Sequence, residues 1–145
     1  MNNNFFVFDT INTSEKLNAF HQIADVVSKY FSIPTRQIVS SMLTREKIAS
    51  TALAEGIALP HIILDINFDP MIFVFIDKTP ILNWKDETNQ NIKVLICYTL
   101  PNYIQPKDTN VYKLKSFSIR LSDDDFIEKI GNCNDIRELE KVILS

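Results

Sequence analysis

The chain has 145 residues, 46% of them apolar and 23% charged, with a formal net charge of −3; that is the size of one domain, able to bury on the order of two-thirds of its unfolded surface. Mild acidity offers no basic stripe for nucleic acid, so direct DNA or RNA binding is discounted. Apolar runs such as Val94 to Leu100 fall far short of the roughly 20 residues that cross a bilayer, and the polar start Met1-Asn2-Asn3-Asn4 lacks a signal-peptide pattern, so a soluble cytoplasmic protein without membrane insertion is expected.

Phe5 to Ile11, aromatic and β-branched between polar flanks, reads as a first strand. Asn12 with Glu15 three residues on marks a helix start. Leu17, Phe20, Ala24, Val27 and Phe31 then recur at steps of three and four, which predicts an amphipathic helix to about Tyr30. Pro34 opens a shorter helix with Ile38, Met42 and Leu43 inward, ending near Arg45-Glu46, so that the following segment falls on a loop. Ile57 to Leu59 and Met71 to Ile76 read as strands, the second a continuous apolar run of the kind buried on both faces. Pro80 and Asp86 to Asn91 mark turns. Ile92 to Leu100 is the longest strand candidate, stopped by Pro101, and the polar stretch from Pro101 to Asn110, with Pro106, reads as a mobile lid or rim. In the last third Val111, Leu114, Phe117 and Leu121 form one helical face. Ser122 with Asp123 to Asp125 caps the next helix, Gly131 stops it, and Asp135 with Glu138 starts the last. Strand, helices, strands, helices imply a single α/β domain over residues 1–145, a mixed β-sheet flanked by helices.

Glycine occurs only at 56 and 131, which excludes a glycine-rich phosphate cradle. If phosphate is handled, a side chain must do it. Cys97 sits in the apolar run Val94-Leu95-Ile96-Cys97-Tyr98 as a small hydrophobe, and Cys133 falls in a turn. Neither has a Cys-x-x-Cys partner or a local histidine, which argues against a metal or redox site.

One of only two histidines, His61, stands directly behind Pro60, which fixes its own φ and biases Leu59 toward extended backbone. The ring is thereby held at a strand end. A histidine satisfied by structural hydrogen bonds is the bland reading. The chemical reading is a nucleophile, since an imidazole with an ordinary pKa near 6.5 is neutral at physiological pH. His21, beside Phe20 and one position off the apolar face of the first helix, has no ligand-like spacing and reads as packing or helix surface.

The run Leu43-Thr44-Arg45-Glu46-Lys47-Ile48-Ala49-Ser50-Thr51, followed after four residues by Gly56-Ile57-Ala58-Leu59-Pro60-His61, resembles the active-site signature of the type-2 enzyme IIA domains of the bacterial phosphotransferase system, the mannitol, fructose and nitrogen-regulatory branch. The resemblance covers nearly the whole chain. It implies a mixed sheet flanked by helices and a phosphoryl group carried on His61, without metal or small cofactor. Arg45, otherwise an ordinary surface charge at a helix end, would stabilise the equatorial oxygens of a loose transition state through its paired donors. Glu46 would orient the arginine or cap local backbone. Thr51 matches the family threonine, although hydroxyls in loops commonly satisfy only nearby backbone. Trp84 resembles a segment that follows the family's central strands and reads as core or rim packing.

Two features depart from the family pattern. Ala52-Leu53-Ala54-Glu55 replaces a glycine-rich stretch, restricting the backbone and adding a charge, or the segment is helical here. Asn110-Val111-x-x-Leu114, set without gaps on the family's His-Leu-x-x-Leu, puts Asn110 at the second histidine of the site, and asparagine cannot become a cation. The resemblance therefore implies either a carrier taking phosphate from the small protein HPr and passing it to an enzyme IIB domain for mannitol- or fructose-type uptake, or a regulatory module whose contacts with a transcriptional regulator or other partner change with phosphorylation. A domain that binds its partner without being phosphorylated is a third reading.

Overall fold

The computed structural model describes residues 5–104 and 109–145. Among them the elements run β1 (Phe6–Ile11), α1 (Lys16–Phe31), α2 (Thr35–Ile48), β2 (Ile57–Ala58), β3 (His61–Leu64), β4 (Met71–Lys85), β5 (Asn91–Pro101), α3 (Thr109–Arg120), α4 (Asp124–Gly131) and α5 (Ile136–Leu144). The sheet is mixed, as expected. β1 pairs parallel with β4, β4 antiparallel with β5, and β5 carries β2 and β3, both parallel, along its other side.

Over residues 72–76 and 94–98 the two central strands are apolar because both faces are covered. Phe73, Phe75, Leu95 and Cys97 meet Phe20, Ile23, Ile38 and Met42 of α1 and α2. Their neighbours Ile72, Val74, Val94 and Ile96 meet Leu114, Phe117, Phe126, Ile130 and Leu139 of α3, α4 and α5. The period-2 alternation of strands thus sorts the core into two layers, one per face.

Local expectations needed four corrections. The cap of α1 is Glu15 itself, whose exposed carboxylate accepts from the Leu17 and Asn18 amides at 2.8 and 3.0 Å, while Asn12 is occupied by the Thr79 hydroxyl. Leu17 and Leu43, expected inward, are 44% and 39% exposed, since each lies about 90° from the centre of its helix's buried stripe. α2 continues to Ile48, so Arg45 and Glu46 sit in its last turn. β4 runs past Pro80 to Lys85. The ladder with β5 shifts register between Ile76 and Ile81, and a residue without an N–H is tolerated at such an irregularity. The lid or rim expected around Pro106 lies outside the described residues. Asp123 and Asp135 cap α4 and α5 as N-terminal acceptors, in line with the acidic signals read there.

The two glycines grip one turn. Glu55 and Gly56 are both left-handed, with φ 57° and 72°, and a Cβ on Gly56 would stand 2.9 Å from the Asn91 carbonyl oxygen. A Cβ on Gly131, at the end of α4, would stand 2.5 Å from the Glu55 Cβ and 2.8 Å from its carbonyl oxygen. Helix propensity alone favours alanine over glycine by about 1 kcal/mol, but this contact is with backbone that cannot yield cheaply. Gly131→Ala is expected to destabilise the protein by about 1–3 kcal/mol, measured by urea denaturation, and Glu55→Gly added to it should recover part of the loss by removing one of the two clashing groups.

Candidate active site

His61 is the first residue of β3, behind the buried Pro60. Ile62 and Leu64 point into the α1/α2 core, so alternation turns His61 and Ile63 to the other side. His61 pairs with Tyr98 of β5, and the two rings lie 5.3 Å apart, tilted by 33°. Behind them the Tyr98 hydroxyl shares a 2.8 Å hydrogen bond with Ser118 of α3. The imidazole is therefore half-buried against a fixed aromatic wall.

α2 lies along the outer edge of β3. The Ser41 hydroxyl accepts from the Ile63 amide at 2.9 Å and donates to the Ile63 carbonyl at 3.2 Å, closing an edge that would otherwise leave backbone groups unpaired. Four residues further, on the same helical face, comes Arg45. Arg45 and His61 line one open cavity of about 380 Å3 together with Gln37, Ser41, Thr44 and Ile63. The guanidinium is tethered by a 3.1 Å bond from Nη1 to the Ala49 carbonyl. Burial, and then the nearby Arg45 cation, hold the His61 pKa below its ordinary value of 6.5. Both effects disfavour imidazolium and keep a lone pair on the ring.

Thr51 and Asn110 are placed differently. Thr51 is 5% exposed, and Glu46 Oε1 accepts both its hydroxyl and its amide, the latter at 3.0 Å. Asn110, in the first turn of α3, donates from Nδ2 to the Pro70 carbonyl at 2.9 Å, just ahead of β4. In register, His61 faces Tyr98 and Tyr98 faces Ile72, so β4 lies two strand spacings, about 10 Å, from the strand of the imidazole. Glu46 caps local backbone, one of the two roles read for it.

The segment from Thr51 to Leu59 is an irregular hairpin and not a helix. Leu53 N donates to the Ile57 carbonyl at 2.8 Å and Leu59 N to the Thr51 carbonyl at 2.9 Å, with a bridge between Ala52 and Ala58. Its tip is tied down by the Gly56 amide on Asp86 Oδ2 at 2.8 Å. His21 is exposed on α1. Burial pushes the thiols of Cys97 and Cys133 up, so neither is a thiolate at neutral pH. Sequence reasoning missed Ser41 and Tyr98. Ser41 precedes Arg45 by four residues, a spacing that marks it as a neighbour once α2 is known to reach Ile48.

A mixed sheet covered on both faces, with a cavity where α2 meets the head of an edge strand, defines a mixed α/β domain whose candidate site lies at that cavity. The family model described as "Phosphoenolpyruvate-dependent sugar phosphotransferase system, EIIA 2" matches residues 1–145, and the chain belongs to that family of phosphoryl-carrier domains. It is 25% identical over 133 residues to the nitrogen regulatory protein of Escherichia coli strain K12, covering 92% of this chain and 80% of that protein. The fold is shared with nitrogen regulatory protein IIA-Ntr from Neisseria meningitidis, at a TM-score of 0.74 and 14% identity over 94% of this chain and 92% of that one. It is shared also with the IIA mannitol protein from Escherichia coli, at 0.64 and 18% identity over 94% of each, and with enzyme IIAMTL in its complex with phosphorylated enzyme IIBMTL from Escherichia coli, at 0.64 and 17% identity over 95% of this chain and 99% of that one. Among the described residues no helix is long and apolar enough to cross a membrane.

A depressed histidine pKa has a defined consequence for stability. Above pH 6.5 the ring is neutral in both folded and unfolded chains; as pH falls through 6.5 toward the lower folded value, the unfolded chain takes up its proton first. Stability should fall over that window more steeply in the wild type than in His61→Gln, followed by urea denaturation at a series of pH values. The C2 proton resonance of His61 should titrate below pH 6.5, and Arg45→Met should move its midpoint only part of the way back, since burial remains.

Proposed function

We propose that residues 1–145 act as one EIIA domain in which His61 accepts a phosphoryl group from the phosphohistidine of HPr and delivers it to an enzyme IIB domain for uptake of a mannitol- or fructose-type sugar. The observation that carries this reading is the half-buried, neutral imidazole sharing an open cavity with a tethered arginine. The lone pair of one ring nitrogen attacks phosphorus as the donor's P–N bond breaks, and the other nitrogen keeps its proton. No base is required. The Arg45 guanidinium remains charged throughout and meets the oxygens of the loose transition state and then the dianion on His61. The exposed Ile48 and Ile63, at 78% and 49%, give the rim an apolar character suited to a weak, fast-exchanging partner. Thr51 acts by holding the backbone that leads to His61. Asn110, engaged with Pro70, leaves Arg45 as the principal cation of the site.

A regulatory reading is favoured by one specific observation, the similarity to nitrogen regulatory proteins over 92% of the chain. In that reading a cytoplasmic partner, such as a transcriptional regulator, distinguishes the phosphorylated from the unphosphorylated surface, a change of roughly −1.5 to −2 charges at one exposed rim.

With phosphoenolpyruvate, enzyme I and HPr, the purified chain should take up acid-labile phosphate, and His61→Ala should take up none. Arg45→Met is expected to slow labelling by about one to two decades, the loss of a hydrogen bond to a charged group worth about 1.5–3 kcal/mol. Label that persists in His61→Ala would sink the assignment. Onward transfer to a IIB domain supports the carrier, and its absence together with phosphorylation-dependent binding of a regulator supports the second reading.

A further inference from the structure

The base of the hairpin that leads to His61 rests on a short chain of contacts reaching back to α1. Thr51 supplies the carbonyl that holds the Leu59 amide, two residues ahead of His61, and Thr51 is itself held by Glu46 Oε1. The other oxygen of that carboxylate, Oε2, accepts from Lys16 Nζ at 2.7 Å. This is the only ion pair among the described residues, in a chain with 15 Lys and Arg and 18 Asp and Glu, so its placement is specific rather than a consequence of charge density. The Lys16 and Glu46 side chains are 29% and 10% exposed, more shielded than the solvent-exposed pairs that contribute little.

Lys16 is itself held from beneath. Its ammonium lies 4.4 Å from the centroid of the Trp84 ring and 5.9 Å from that of Phe20, and its amide donates to Asn83 Oδ1 at 2.8 Å. Leu82 N donates to the Ser14 carbonyl at 2.9 Å. The extension of β4 beyond Pro80 therefore grips the first turn of α1 and presents the face of a tryptophan to one cation. Trp84 is 4% exposed and its indole Nε1 has no hydrogen-bond partner among the described residues. Its contribution here is the ring face, which attracts a cation most strongly when both are withdrawn from water.

We propose that Lys16, seated on Trp84, is a positioning residue for phosphoryl transfer: through Glu46 it fixes Thr51, and through Thr51 the hairpin strand that delivers His61 to the cavity beside Arg45. The proposal rests on the reading of His61 as the phosphoryl acceptor. Lys16 touches no reacting group and acts only through the carboxylate it neutralises. Nothing in the local sequence of α1 marks the residue, because its partners are 30 and 68 positions away.

The test combines amide hydrogen exchange by NMR with labelling of His61, on the whole chain as wild type, Lys16→Met and Lys16→Arg. Methionine keeps an unbranched stem over Trp84 and removes the charge. In Lys16→Met the amides of Thr51 and Leu59 should exchange about tenfold faster, while those of Val74 and Ile96 in the central strands keep their protection. Labelling should slow by a similar factor, and Lys16→Arg should restore both. Adding Lys16→Met to Glu46→Gln should change Thr51 exchange little further, because the two act in series. The proposal is overturned if Thr51 and Leu59 keep their protection, if they lose it only in step with Val74 and Ile96, or if the two substitutions add in full. Label on the wild type with unchanged Thr51 and Leu59 exchange removes the positioning role alone, whereas absence of label on the wild type removes the acceptor reading and this proposal together.

Discussion

The pair of hydrogen bonds between the Ser41 hydroxyl and the backbone of Ile63 is the contact from which the geometry of the site follows. β3 is only four residues long and lies at the edge of the sheet, where its outer amide and carbonyl have no strand to meet. A side-chain hydroxyl from α2 takes both, and an intramolecular hydrogen bond of this kind contributes about 0.5–1.5 kcal/mol. Once α2 is fixed there, helical spacing decides which residue stands beside the imidazole. Arg45 lies one turn beyond Ser41, on the same face. The arginine reaches His61 because the serine reaches Ile63.

Three further contacts hold the approach to the imidazole. Asp86 takes the Gly56 amide at the hairpin tip, Gly131 lets the end of α4 close against Glu55, and Glu46 takes Thr51 at the base. A segment that is neither helix nor long strand is thus restrained at both ends. Such restraint suits the nucleophile proposed above, since orientation fixed before encounter lowers the entropic part of the barrier. The Ala52-Leu53-Ala54-Glu55 sequence, where glycines were expected, is accommodated because only Glu55 takes a positive φ among those four residues. The cost of a left-handed non-glycine residue is about 1–2 kcal/mol, small enough for the contacts around it to offset.

Much of the fold was legible because the signals were local. The continuous apolar runs identified β4 and β5, the three- and four-residue steps identified α1 and α3, and Asp123 and Asp135 announced their helices. What was not legible depended on distant partners. Nothing near Pro80 reveals that the strand resumes beyond it, because the resumption depends on Ile81 pairing with Ile92 and Leu82 with Ser14. In the site, the Pro60-His61 pair and Arg45 stood out by residue type and order, whereas the use of Thr51 as a backbone brace depends on a carboxylate whose direction the sequence does not encode.

The electrostatics of the cavity bear on the proposed transfer. Burial and the adjacent cation both disfavour a protonated imidazole, so in the proposed transfer the charge that would attract an incoming phosphoryl group resides on Arg45 and not on the imidazole. That separation is favourable, since protonation would occupy the lone pair that must attack, while the guanidinium cannot lose its charge at any physiological pH. A second histidine would add a cation only in the fraction of molecules in which it is protonated. Asn110, with its amide committed to Pro70, ties the start of α3 to the start of β4. In the proposed transfer the division of labour is then one neutral ring to bond phosphorus and one permanent cation to hold its oxygens, on a frame in which the Ser41–Ile63 and Glu46–Thr51 contacts restrain the elements that carry those two groups.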